Sequence, residues 1–105
     1  MARPDHAPRH LDLVPNPARR GGSEPLLCVL QSDLADRATR IVAPVSASGY
    51  AGPLAPSLRH EGREYHVLLR GLTNAPLRVL GPAVGSAEAA RDDITRGLDL
   101  LFLGV

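Results

Sequence analysis

The stretch DDITRGLDLLFLGV, residues 92–105, decides how the rest of the chain is read. On a helix of about 3.6 residues per turn, Ala90, Ile94, Leu98, Leu101 and, were the helix to run on, Val105 share one stripe, with Phe102 on its border. That stripe is the face the helix is expected to bury. Leu103 lies about 180° from Ile94, with Arg96 and Asp99 beside it and Leu100 at the edge of the same outer face. A large aliphatic side chain aimed away from the core and followed by Gly104 is expected to meet a partner. One exposed leucine needs no explanation by itself, because much of any protein surface is apolar, so this expectation depends on what the rest of the chain is. Gly97 weakens the middle of the helix by about 1 kcal/mol relative to alanine, so tertiary packing has to hold it. Ser86 is the expected N-cap, with Glu88, Asp92 and Asp93 near the positive end of the helix.

Upstream of the helix the pattern is one of short strands and turns. Residues 77–80 follow Pro76 and are stopped by Gly81-Pro82, which reads as the last strand. Residues 58–60 and 64–70 flank Glu61-Gly62-Arg63 as a hairpin, with Tyr65, Val67 and Leu69 alternating onto one face. Residues 46–56 are too rich in Ala, Ser, Gly and Pro for regular structure. A strand is expected over 41–45, where Pro44 implies an edge position or a bulge. Residues 26–30 form a continuous apolar run bounded by breakers and read as a buried strand. The first strand covers 11–14, ahead of a turn-forming loop over 15–25. Residues 1–9 are proline-rich, basic and without period, so they are expected to be a disordered extension to a domain spanning 10–105. Strands first and one helix last give an α+β, mainly β layout on a small barrel-like sheet. A chain of 105 residues has room for one core.

Composition excludes several functions. A formal net charge of +1 argues against a phosphate-driven nucleic-acid binder. Cys28 is the single cysteine, which rules out an internal disulfide, and its place in an apolar run points to an inert buried thiol. No stretch approaches the ~18 apolar residues of a membrane span, so a cytoplasmic protein with no membrane partner is expected. His6, His10, His60 and His66 have no metal-ligand spacing, and no metal or cofactor is expected. No glycine-rich phosphate loop precedes a helix. Ser32, Asp33 and His66 have the chemistry of a hydrolytic triad, but nothing in the sequence brings them together. No catalytic residue is therefore assigned. Gln31-Ser32-Asp33 reads as a turn after the buried strand, and Asp36, Arg37 and Arg40 as a solvated charge cluster.

An ordered series of residues carries a resemblance. The buried strand leads to Gln31-Ser32-Asp33, then Asp36, then Arg40 with Val42 and Pro44. After them come Leu54 and Pro56, Gly62 ahead of Tyr65, the Ala75-Pro76 step, and Val79-Leu80-Gly81. Asp93-Ile94 then leads into Leu100, Leu101, Phe102, Gly104 and an aliphatic residue. Over residues 26–105 the chain resembles the CcdB family of bacterial toxins, with 11–14 as the first strand. The resemblance implies an SH3-like barrel of antiparallel strands, of the CcdB/MazF type, with a small second sheet and a C-terminal helix, assembled as a homodimer. It implies a toxin that binds the DNA gyrase A subunit and traps the enzyme on cleaved DNA. A CcdA-like antitoxin neutralises such toxins, and the pair represses its own operon with the antitoxin supplying the DNA contacts.

The family's gyrase-facing positions fall on Asp99, Phe102, Leu103, Gly104 and Val105, with a second pair on Leu34 and Ala35. Three of these depart from the family's pattern. Leu103 stands where the gyrase poison has a tryptophan that stacks on an arginine, a cation–π contact worth about 0.5–2 kcal/mol. Asp99 replaces a neutral asparagine, and Ala35 a larger aliphatic residue. A tenfold change in affinity needs only ~1.4 kcal/mol, so these departures imply weaker or redirected poisoning. Two alternatives stay open at this point. One is an mRNA endoribonuclease toxin of the MazF type, although the sole Arg-Pro step, Arg3-Pro4, lies in the N-terminal extension. The other is a decayed toxin that binds only its antitoxin.

Overall fold

A computed structural model describes residues 8–18, 24–30, 39–48 and 52–104. Strands β1 (Asp12–Pro15), β2 (Leu26–Val29), β3 (Thr39–Ser46), β4 (Ser57–His60), β5 (Arg63–Val67), β6 (Thr73–Pro76) and β7 (Gly85–Ser86) precede one helix, α1 (Arg91–Leu103). The strands form a single antiparallel sheet in the order β4-β5-β3-β2-β1-β7, with β6 also paired to β3. The sheet curls into a nearly closed barrel, an α+β, mainly β fold. The expected small second sheet is not separate: the β4–β5 hairpin belongs to the same sheet, which it joins at β3 through Val45↔Val67 and Ser46↔His66. The hairpin turn is Glu61-Gly62, with φ of 53° and 77°, the left-handed pair that a two-residue hairpin loop of matching twist requires. At the open seam, Gly85 of β7 leaves room for the ring of His60 from β4.

The run LLCV in β2 is apolar throughout because both faces of that strand are covered. Leu26 and Cys28 point into the main cluster with Leu13, Ala43, Val45, Val67 and Ile94. Leu27 and Val29 point the other way, onto Val14, Val42, Ala75 and Leu80. The main cluster is closed by α1, which buries Ile94 and Gly97 and leaves Leu98 and Leu101 half-buried, with Ala90 buried just ahead of it.

The structure corrects several sequence expectations. Residues 77–80 are not a strand: residues 73–76 are, and Leu77–Val79 forms a 3₁₀ turn. Leu77 and Leu80 must both cover the second cluster, and a separation of three residues suits one 3₁₀ turn, whereas a strand would send them to opposite faces. The second strand of the hairpin ends at Val67, and Leu69 enters the core from a 3₁₀ turn, Leu69–Gly71. Pro44 lies neither at an edge nor in a bulge. Leu30 N–H donates to the Ile41 carbonyl, and the alternation of bonded and non-bonded pairs then puts Pro44, opposite Leu27, at a non-bonded site toward β2. Its nitrogen faces the gap where β3 exchanges β6 for β5, and its carbonyl there accepts from Leu68 N–H at 2.8 Å.

Arg40 is not part of a solvated cluster. It is 3% exposed, and it donates through Nε to the Pro8 carbonyl at 3.1 Å and through Nη1 to the Thr39 carbonyl at 2.9 Å. These backbone acceptors make burial of the charge tolerable. Ser86 does not cap α1 itself. Its Oγ accepts from Glu88 N–H at 3.0 Å and so starts the 3₁₀ turn Glu88–Ala90, which feeds α1.

Candidate functional site: the free end of the C-terminal helix

Leu101 is the last residue of α1 to pack against the main cluster, and beyond it the helix leaves the core behind. Leu100 and Leu101 are half-buried, while Phe102 is 69% and Leu103 68% exposed, the most exposed large apolar side chains among the described residues. The outward direction expected for Leu103 is observed. Phe102, placed on the border of the buried stripe by its helical angle, is instead almost as open as Leu103. Asp99 is three residues before Phe102 and four before Leu103, so the three side chains share one patch. Gly104 ends the helix in the left-handed conformation, φ 71°, and its N–H closes onto the Leu100 carbonyl at 2.9 Å. That conformation suits glycine and leaves a rim without a side chain beside Leu103. Leu34, Ala35 and Val105, as well as Gln31, Ser32, Asp33, Asp36 and Arg37, lie outside the described residues.

The electrostatics of α1 are uneven. Its start is well supplied, with Asp92 and Asp93 in the first turn, an Arg96–Asp93 ion pair, and a Glu88–Arg91 pair that ties in the preceding 3₁₀ turn. The hydrogen bond from Arg91 holds the Glu88 carboxyl below its ordinary range, and the same bond raises Arg91. The last turn contains no basic residue, so Asp99 approaches the negative end of the helix dipole without compensation. An acid kept there does nothing for the helix, which fits a role at the surface.

A cleft of about 680 Å³ runs beside α1, floored by Pro44, Pro53, Leu54, Leu68 and Leu100, with Glu24 and Arg70 at its margin. A more polar hollow of about 490 Å³ flanks the start of the helix near Asp93, Arg96, Glu64 and His66. The turn around Pro53 is the wall common to both. Among the described residues no three His, Cys, Asp or Glu side chains come together as a metal site. His66 sits opposite Ser57 in the hairpin, and its Nδ1 has no hydrogen-bond partner. Burial pushes the Cys28 thiol up to about 12, aided by the charge of Asp12, so it is not a nucleophile at neutral pH. No helix among the described residues is long and apolar enough to cross a membrane.

The family model of the CcdB protein matches residues 11–104, nearly the whole of the chain and all of its strands and its helix. The chain belongs to the CcdB family. No curated protein shows significant similarity to it. As a CcdB protein it is the toxin of a toxin–antitoxin system. In this CcdB chain the strands that sequence patterning found are those with apolar side chains to bury. Strand β6 escaped because Ala75 is its only buried residue, and β7 because it is two residues long. The close approach of α1 at Gly97 also went unread. Its only signal was a glycine in the middle of a helix, and a helix that tolerates one usually has a packing reason for it.

Proposed function

We propose that this CcdB protein is a gyrase-directed poison acting in the cytoplasm as a homodimer. Its docking surface is the free end of α1, formed by Asp99, Phe102, Leu103 and Gly104 together with Val105 and the pair Leu34 and Ala35. The observation that carries the proposal is the exposure of Phe102 and Leu103 side by side, the most exposed large apolar side chains among the described residues. Adjacent open apolar side chains at the end of a rigid helix make a compact anchor for the A subunit of DNA gyrase. In this mechanism the protein is a ligand that holds gyrase on cleaved DNA, and it catalyses nothing itself. A CcdA-like antitoxin competes for the toxin, and the two together repress the operon, with the antitoxin making the DNA contacts.

The test is direct. Purified protein is mixed with DNA gyrase and supercoiled plasmid, and protein-linked linear DNA is measured after denaturation. Accumulation that depends on Phe102 and Leu103 supports the proposal. Folded protein that traps no gyrase, yet binds its antitoxin tightly, identifies a toxin that has lost its target.

A further inference from the structure

At Gly97 the backbone of α1 lies close against Leu69 and the Pro53 turn. A Cβ added to Gly97 would lie 2.4 Å from Leu69 Cδ1 and 2.6 Å from the Pro53 carbonyl oxygen. Leu69 is fully buried and has little freedom to swing aside, and the Pro53 oxygen belongs to the backbone. Asp93, Arg96, Gly97 and Leu100 lie along one side of the helix at spacings of three and four residues. The first two line the polar hollow and the last lines the apolar cleft, so the Gly97–Pro53 contact is the saddle between them. The chain accepts a weaker helix at this point in exchange for a seat that no other residue fits.

We infer that Gly97 is a positioning residue, which sets the distance of α1 from the Pro53 turn and thereby the pose in which Asp99, Phe102 and Leu103 are presented. The inference rests on the proposed docking surface and adds what holds that surface in place. For a Cβ to reach ordinary contact with the Pro53 oxygen, the helix must recede by about 0.8 Å. Leu103 is six residues further on, about 9 Å along the axis, so a tilt pivoting on the buried Ile94 grows toward the docking end. Errors of this order at an interface centre are costly, because the anchors fill shaped pockets.

The experiment uses the full chain with Gly97→Ala, a Thr95→Ala control on an exposed position of the same helix, and Val29→Ala as a core variant remote from α1. Affinity for the purified gyrase A subunit is measured by calorimetry well below the melting temperature, and the position of α1 by crystallography. Gly97→Ala is expected to bind at least tenfold more weakly, with α1 displaced from Pro53. Thr95→Ala and Val29→Ala are expected to match the unaltered chain in affinity, although Val29→Ala lowers stability. Unchanged affinity of Gly97→Ala, or an α1 that stays in place, overturns the inference. If Gly97→Ala does not fold, Gly97→Ala with Leu69→Val removes the side-chain clash and keeps the one with Pro53, and the same two readouts decide. If the unaltered chain does not bind gyrase, the proposed function fails by itself, and the crystallographic position of α1 still judges the seat.

Discussion

β2 reads LLCV and the last turn of α1 reads LLFL, two apolar runs of equal length with opposite fates. Every residue of the first is buried, whereas the second passes from half-buried Leu100 and Leu101 to open Phe102 and Leu103. Hydropathy does not separate them. The difference lies in coverage: β2 has α1 on one side and the 77–80 segment on the other, while the helix runs on past Leu101, its last residue packed against the core. A domain that buries both faces of a four-residue strand has the means to cover a helix end and leaves this one bare. Apolar surface left open on such a chain marks contact with something else.

The comparison breaks most readily through stability. Leu27→Ala in β2 is expected to cost about 2–5 kcal/mol, because it removes a buried side chain and leaves a cavity the sheet cannot close. Leu103→Ala is expected to change stability by no more than about 0.5 kcal/mol, as exposed substitutions do. Urea denaturation followed by circular dichroism at matched protein concentration checks both. A Leu103→Ala loss as large as that of Leu27→Ala would mean that the helix end is covered in the folded assembly.

A second effect reads function. The double change of Phe102→Ala and Leu103→Ala is expected to lower affinity for the gyrase A subunit about a hundredfold, roughly 2.7 kcal/mol, with the melting temperature unmoved. Retained trapping of cleaved DNA by that variant would put the docking surface elsewhere.

These two regions also show what is legible in a sequence. The run in β2 was readable because doubly covered strands are apolar without alternation. The outward direction of Leu103 followed from its angle on the helix relative to Ile94. The exposure of Phe102 did not, because a helical wheel describes directions around an axis and is silent on where the core stops along it. Arg40 was misread for a related reason. One of its acceptors is the Pro8 carbonyl, 32 residues away in sequence, and no local pattern encodes a backbone acceptor brought in by folding. The 3₁₀ turn at 77–79 was hidden because Leu77 and Leu80 fit a short apolar run as readily as a turn that folds both onto β2.

The buried side of the comparison carries a pH signature through Cys28. Folded protein keeps the thiol proton up to about pH 12, whereas an unfolded chain releases it at the ordinary value of 9.0. Between those values the unfolded state binds fewer protons, so stability falls as pH rises, by at most about 1.4 kcal/mol per pH unit. Below pH 9 the contribution is fully present. The decline should be shallower in Cys28→Ala, measured by denaturant titration at pH 8, 9 and 10. Equal slopes would show that the thiol is not shielded as its surroundings in β2 require.

The open side can be sharpened by addition. Leu103→Trp supplies the flat π face that leucine lacks and is expected to strengthen gyrase binding by about 0.5–2 kcal/mol, between two- and thirtyfold. No gain would count against an arginine facing Leu103 on the partner, and with it against this assignment of the surface.

The smallest effect concerns Asp99, which sits on the open patch and close to the negative end of the helix dipole, with no basic residue in the last turn to offset it. Asp99→Asn keeps the shape and removes the charge, so α1 should gain about 0.3–1 kcal/mol, more at low salt than at high. A helix serving only the fold would favour that change. If Asp99 instead meets a basic group on gyrase or antitoxin, the variant will be more stable and yet bind that partner less tightly, with a weaker dependence on salt. The opposite signs of the two effects can be read from one preparation by thermal melting and calorimetry. Gains in both stability and affinity would show that Asp99 opposes docking, and that the acidic position tempers the apolar anchor beside it.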